Sequence, residues 1–125
     1  MRILLVEDDP WYAESLCSTI RNELDCEINT ARSAGAAVAM IDSFQPNAII
    51  LDIMLGEQNG LVLLNELQSY IDTRSLPIII LSLNTDKLDL DDLCQFGVRA
   101  ILDKATITPD SLATTITDAV GAGSG

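Results

Sequence analysis

The chain has 125 residues, 48% of them hydrophobic, which is enough for one sizeable core and too little for two ordinary domains. Its 19 acids and 7 bases leave a formal charge of −12, which repels a phosphate backbone and argues against direct nucleic-acid binding. Histidine is absent, so imidazole catalysis and nitrogen ligation are excluded, and Cys17, Cys26 and Cys94 show neither a disulfide framework nor zinc-ligand spacing.

The first apolar run, Ile3-Leu4-Leu5-Val6, lacks the polar alternation of a half-exposed strand, as expected where both faces are covered. Glu7, Asp8 and Asp9 end it too early for a signal peptide, and no later run reaches the roughly 18 apolar residues of a membrane span, so we expect a soluble, cytoplasmic protein without membrane contact. With Asp9 as N-cap and Pro10 at its first position, a helix follows that lines up Tyr12, Leu16, Ile20 and Leu24. Glu27 to Ala31 is a weaker second strand, and Ala34 to Phe44 an alanine-rich second helix. The third strand, Ala48 to Leu51, is followed directly by Asp52. A third helix spans about Leu61 to Ile71, with Leu64, Leu67 and Ile71 on one face. Ser82 directly follows the fourth strand, Ile78 to Leu81, and a less regular fourth helix covers about Lys87 to Phe96. Lys104 stands two residues beyond the fifth strand, Ala100 to Leu102. The last helix starts at Thr108-Pro109 and aligns Leu112, Ile116 and Val120. Gly121 to Gly125 has linker composition, so the expected domain is residues 1–120, followed by a tail without fixed structure.

Strand and helix alternate five times, which predicts a doubly wound α/β domain with a parallel sheet and right-handed crossovers. In such a sheet all strands end at one edge, the edge where open α/β sheets bind ligands. Glu7, Asp8, Asp52, Ser82 and Lys104 therefore converge. Crowded carboxylates push one another's pKa upward unless a cation intervenes, and magnesium suits an all-oxygen donor set. Asp8 and Asp52 are the candidate direct ligands, with Glu7 acting through water. A phosphoryl group on Asp52 would find magnesium on one side, the Lys104 ammonium on another and the Ser82 hydroxyl as donor, which is the charge stabilisation that phosphoryl transfer needs. Taken singly, each residue has a plainer role: Asp9 as a helix cap, Asp52 or Ser82 as a turn residue, Lys104 as a solvated charge. The plain roles do not explain why all five follow buried strands in one chemically useful order.

The stretches Ile3 to Pro10, Ile49 to Leu55 with Gly60, Pro77 to Ser82 and Gly97 to Lys104 together resemble a response-regulator receiver domain of two-component signalling, over residues 2–120. The resemblance implies a flavodoxin-like fold, a five-stranded parallel sheet of order 2-1-3-4-5 flanked by five helices. It makes Glu7 and Asp8 the acidic pocket, Asp52 the phosphoacceptor, Ser82 the switch hydroxyl and Lys104 the phosphate-facing lysine. The Met54 backbone carbonyl would be a further Mg2+ ligand. A histidine kinase or histidine phosphotransfer protein would be the donor, and a homodimer through the fourth helix, fifth strand and fifth helix would be one response. The chain would not be a turnover enzyme.

Several positions depart from the family pattern. Ala105 replaces the proline usual after the lysine, so a trans bond and a differently shaped loop are expected. Ile101 stands where an aromatic switch is common, Leu83 where a small residue is common, and Gly56 where the loop often has proline. These departures motivate an alternative, a receiver-like interaction module that works without phosphorylation. An aspartate-nucleophile phosphatase of similar layout would need a second acid two residues after the nucleophile, and Met54 stands there.

Overall fold

The structure, a computed structural model, describes residues 1–53, 64–67, 69, 76–83 and 89–124. Five strands, β1 (Arg2–Val6), β2 (Glu27–Ala31), β3 (Ala48–Asp52), β4 (Ile78–Ser82) and β5 (Val98–Asp103), form one sheet in the order β2-β1-β3-β4-β5. Every neighbouring pair is parallel. This is the doubly wound order expected. The helices are α1 (Pro10–Glu23), α2 (Ala34–Phe44), α3 (helical at residues 64–67 and 69), α4 (Leu90–Leu93, continued by a 3-10 turn over Cys94–Phe96) and α5 (Pro109–Ser124).

Strand alternation sorts the core into two layers. Ile3, Leu5, Ala48, Ile50, Ile79 and Leu81 pack with Leu16, Ile20, Leu112 and Ile116 from α1 and α5. Leu4, Val6, Ile49, Leu51, Ile78 and Ile80 point the other way, toward Ala37 of α2, Leu64 and Leu67 of α3 and Leu93 of α4. With helices on both faces, β3 and β4 are buried at all five positions, which explains their unbroken apolar sequence.

Helix boundaries follow from cap chemistry. The Asp9 side chain accepts from the Trp11 and Tyr12 N–H groups ahead of Pro10, as the sequence predicts. At α5, Thr108 and Ser111 cap reciprocally: the Ser111 N–H donates to Thr108 Oγ1, and the Thr108 N–H to Ser111 Oγ, each at 3.0 Å. Asp89 is the extended N-cap of α4, so the described part of the fourth helix starts at Leu90, later than the expected Lys87, which lies outside the described residues. The helix α5 continues through Gly121 to Ser124, past the point where composition placed the domain boundary.

The strands also reach further than their apolar runs. Asp52 and Ser82 are the last residues of β3 and β4 rather than the first beyond them. β5 begins two residues early, at Val98, and admits the exposed Arg99 because it is an edge strand; its pairing with β4 shifts register between Ile78 and Ile79.

Candidate functional site

The site grows out of the carboxyl ends of β1, β3, β4 and β5. Asp52 is held within the ladder: it pairs in register with Leu81, and the next N–H, of Ile53, donates to the Leu81 carbonyl at 2.9 Å. Ser82 pairs with Asp103, and its carbonyl accepts from the Lys104 N–H at 2.9 Å. Glu7 prolongs β1 through its own N–H, which donates to the Ala31 carbonyl at 2.9 Å. Backbone pairing thus fixes the origin of each of these four side chains.

Strand parity then decides which meet. Glu7 follows Ile3 and Leu5, Asp52 follows Ala48 and Ile50, and Lys104 follows Ala100 and Leu102, all residues of the α1 and α5 layer. The three side chains do converge. Lys104 Nζ lies 2.5 Å from Asp52 Oδ2 and 3.8 Å from Glu7 Oε2, and the three side chains are at most 8% exposed. Ser82 has the opposite parity, that of Ile78 and Ile80, and is buried at the same edge.

Two carboxylates therefore share one ammonium in a desolvated place. Asp52 takes the short, charge-assisted contact. Glu7 Oε1 accepts from the Asp9 N–H at 3.0 Å, but its buried Oε2 has no hydrogen-bond donor among the described residues. Such an oxygen is costly in a protein interior and is a natural place for a cation or a donor to settle.

Asp8 is exposed, between buried Glu7 and the cap Asp9. Among the described residues no three acid, cysteine or histidine side chains form a group able to hold a metal on their own. Met54, whose carbonyl is the remaining expected ligand, and Gly56 and Gly60 lie outside the described residues.

Tyr12 is the site neighbour that the sequence reading assigned only to the apolar face of α1. Its ring does pack on the core, but the Lys104 ammonium also sits 3.9 Å from its centroid. The signal was available: Tyr12 lies in the first turn of a helix that starts at the site's edge. Burial raises the Tyr12 hydroxyl pKa, and nearby Lys104 opposes that shift.

The loop after Lys104 contains no cis peptide bond, in line with the expectation for Ala105. Asp103 organises it: its Oδ1 accepts from the Ala105 N–H at 2.8 Å, and its carbonyl from the Thr106 and Ile107 N–H groups. Ile101 is half-buried against the α2 to α4 layer, whereas Leu83 is 49% exposed.

Comparison with known proteins agrees with this arrangement. Residues 3–117 match the family described as the response regulator receiver domain. The probable transcriptional regulatory protein TcrX of Mycobacterium tuberculosis is 32% identical over 80 residues, 64% of this chain and 33% of that protein. The chain thus spans about a third of that relative's length. A sensor protein from Polaromonas sp. JS666 superposes with a TM-score of 0.84 at 26% identity, covering 98% of this chain and 97% of the other. The receiver domain of the sensor histidine kinase PA1611 from Pseudomonas aeruginosa, solved with magnesium coordinated in its active-site cleft, shares the fold at a TM-score of 0.77 and 24% identity, covering 96% and 97%. A five-stranded parallel sheet with its buried acids and lysine at the carboxyl edge, together with the family match over 3–117, places this chain in the response regulator receiver domain family of two-component systems.

Proposed function

We propose that Asp52 is the residue of this receiver domain that accepts the phosphoryl group. The observation that carries the reading is the buried contact between Asp52 and Lys104 beside the unsatisfied Glu7 oxygen. In the proposed step an Asp52 carboxylate oxygen attacks phosphorus. A new P–O bond forms, the P–N bond of a donor phosphohistidine breaks, and its electron pair returns to the imidazole. Lys104, already between the two acids, turns to the phosphoryl oxygens, and the Ser82 hydroxyl donates to another of them.

The donor set fits magnesium. Glu7 Oε2 and Asp52 supply hard oxygens, exposed Asp8 supplies another at the rim, and an ion that keeps several waters needs no complete protein cage. The Met54 carbonyl completes the proposed set. When bound, magnesium would neutralise charge that develops on the transferred group.

The proposed donor is a histidine kinase or histidine phosphotransfer protein, in the cytoplasm, and the chain turns over no separate substrate. No helix among the described residues is long and apolar enough to cross a membrane. The proposed output surface is the α4, β5 and α5 face, used by a second copy of this chain or by another protein.

The test is incubation with Mg2+ and acetyl phosphate, read by intact mass, with Asp52→Asn in parallel. One phosphoryl group per chain, absent in Asp52→Asn, is expected. Labelling that persists at the same rate in Asp52→Asn overturns the assignment. Half-buried Ile101 favours a second reading, an interaction module that ignores phosphorylation, because an aliphatic side chain cannot repeat an aromatic switch. Under that reading, beryllofluoride leaves the amide spectrum of α4 and β5 unchanged.

A further inference from the structure

We propose that Tyr12 is a positioning residue for phosphoryl transfer, forming the aromatic wall of the seat that holds the Lys104 ammonium. The inference rests on the phosphoacceptor reading of Asp52 and adds to it a residue from outside the acid, hydroxyl and lysine set.

Among the described residues, three groups stand close to the ammonium. Asp52 Oδ2 lies 2.5 Å away, Glu7 Oε2 3.8 Å, and the Tyr12 centroid 3.9 Å. With an 8% exposed side chain, Lys104 has little water to complete its solvation. The face of an aromatic ring carries negative potential and supplies part of what water would. It attracts the cation without offering a lone pair that would compete with a phosphoryl oxygen.

The anchoring of the ring suits this role. Asp9 caps α1 and accepts from the Tyr12 N–H itself, at 3.4 Å, while the Asp9 N–H donates to Glu7 Oε1 at 3.0 Å. Tyr12 is thereby tied by a two-step chain to one of the carboxylates its ring helps to bound. Tyr12 also packs against the α1 and α5 core. Asp52 and Glu7 pull the ammonium toward the sheet, and the ring limits its excursion toward α1. When Asp52 carries a phosphoryl group, the cation needs only a short movement within the same seat.

The role belongs to the ring and not to the hydroxyl, so Tyr12→Phe should keep it and Tyr12→Leu should lose it. Two readouts are needed. The first is the proton shift of the Lys104 ε-methylene in the unphosphorylated protein, which requires no phosphoryl chemistry. An ammonium over a ring face shifts these protons upfield in wild type and Tyr12→Phe, and the shift vanishes in Tyr12→Leu. The second is the rate of Asp52 labelling by acetyl phosphate with Mg2+. Tyr12→Leu should lower the maximal rate by roughly fivefold, as the loss of one cation–π contact implies, with Tyr12→Phe restoring it.

A wild-type Lys104 shift at the random-coil position overturns the proposal even if Tyr12→Leu fails to fold. Labelling of folded Tyr12→Leu at the wild-type rate also overturns it. If wild type shows the upfield shift but no Asp52-dependent labelling, the phosphoacceptor reading falls, and with it any part for Tyr12 in transfer. A lower melting temperature with an unmoved Lys104 shift identifies a purely structural tyrosine and likewise overturns the proposal.

Discussion

The central strands and the β5 edge contribute to one site under very different constraints. All five positions of β3 and of β4 are buried, and these strands deliver Asp52 and Ser82 from a backbone paired on both sides. β5 is buried only at Val98; its remaining positions are half-buried or exposed, it pairs on one side, and a register shift interrupts that pairing. The acid that receives the proposed chemistry is thus fixed by the core, while the lysine that answers it directly follows an edge strand paired on one side. Full burial and partial exposure are separated along the sheet.

The largest expected effect tests the fixed half. Asp52→Asn should abolish phosphoryl labelling, as measured by intact mass, while its circular dichroism spectrum stays that of wild type. Retained labelling would place the chemistry elsewhere.

Lys104→Met tests the link between the halves. It leaves the Glu7 and Asp52 carboxylates buried without their cation, and losing one member of such a buried group costs about 3 kcal/mol. Urea unfolding should show that loss in EDTA, and millimolar Mg2+ should recover much of it. No recovery would count against the cation site.

A matched pair of truncations sharpens the comparison of the strands themselves. Ile79→Ala, in a fully buried β4 position, should cost about 2–5 kcal/mol, against about 1–2 kcal/mol for Ile101→Ala on half-buried β5. Equal costs by urea denaturation would remove the distinction.

A smaller effect concerns the thiols. Burial raises the pKa of Cys17 and Cys26 above the ordinary 9.0. The unfolded chain therefore loses these protons first. The associated stability is complete below about pH 9 and declines as pH rises through the folded values. Cys17→Ala should flatten that decline in urea midpoints taken on either side of the window. Exposed Cys94 should react with a thiol reagent before the other two.

The smallest effect belongs to the chain end. We propose that the receiver unit closes at Val120, so deleting residues 121–125 should leave the melting temperature within about 2 °C. An added Cβ at Gly121 would meet nothing within 4 Å. A larger drop would extend the unit through the last turn of α5.

Much of the fold was legible because β1, β3 and β4 are covered on both faces and so spell unbroken apolar runs. The edge strands were harder to read. β2 buries only Ile28 and Ala31, and β5 tolerates Arg99, so their sequences carry weaker strand signals and their limits blur. At the site, the strand-end positions of Asp52 and Ser82 were readable from hydrophobic run lengths to within one residue. The contrast between buried Glu7 and exposed Asp8 was not, since adjacent acids look alike until strand parity assigns one to the interior. Tyr12 escaped because helical periodicity explains an apolar face without saying which polar atoms stand over it.

The seam between β4 and β5 joins side chains of opposite facing. Ser82 and Lys104 are linked through the backbone by the Lys104 N–H and the Ser82 carbonyl, yet one follows the α2 to α4 parity and the other the α1 and α5 parity. A load that draws both toward a common point at the sheet edge acts as a shear couple on this seam. At its far end the pairing shifts register between Ile78 and Ile79, and from Ile79–Ala100 to Ser82–Asp103 it runs unbroken, so the load falls on one continuous length of ladder.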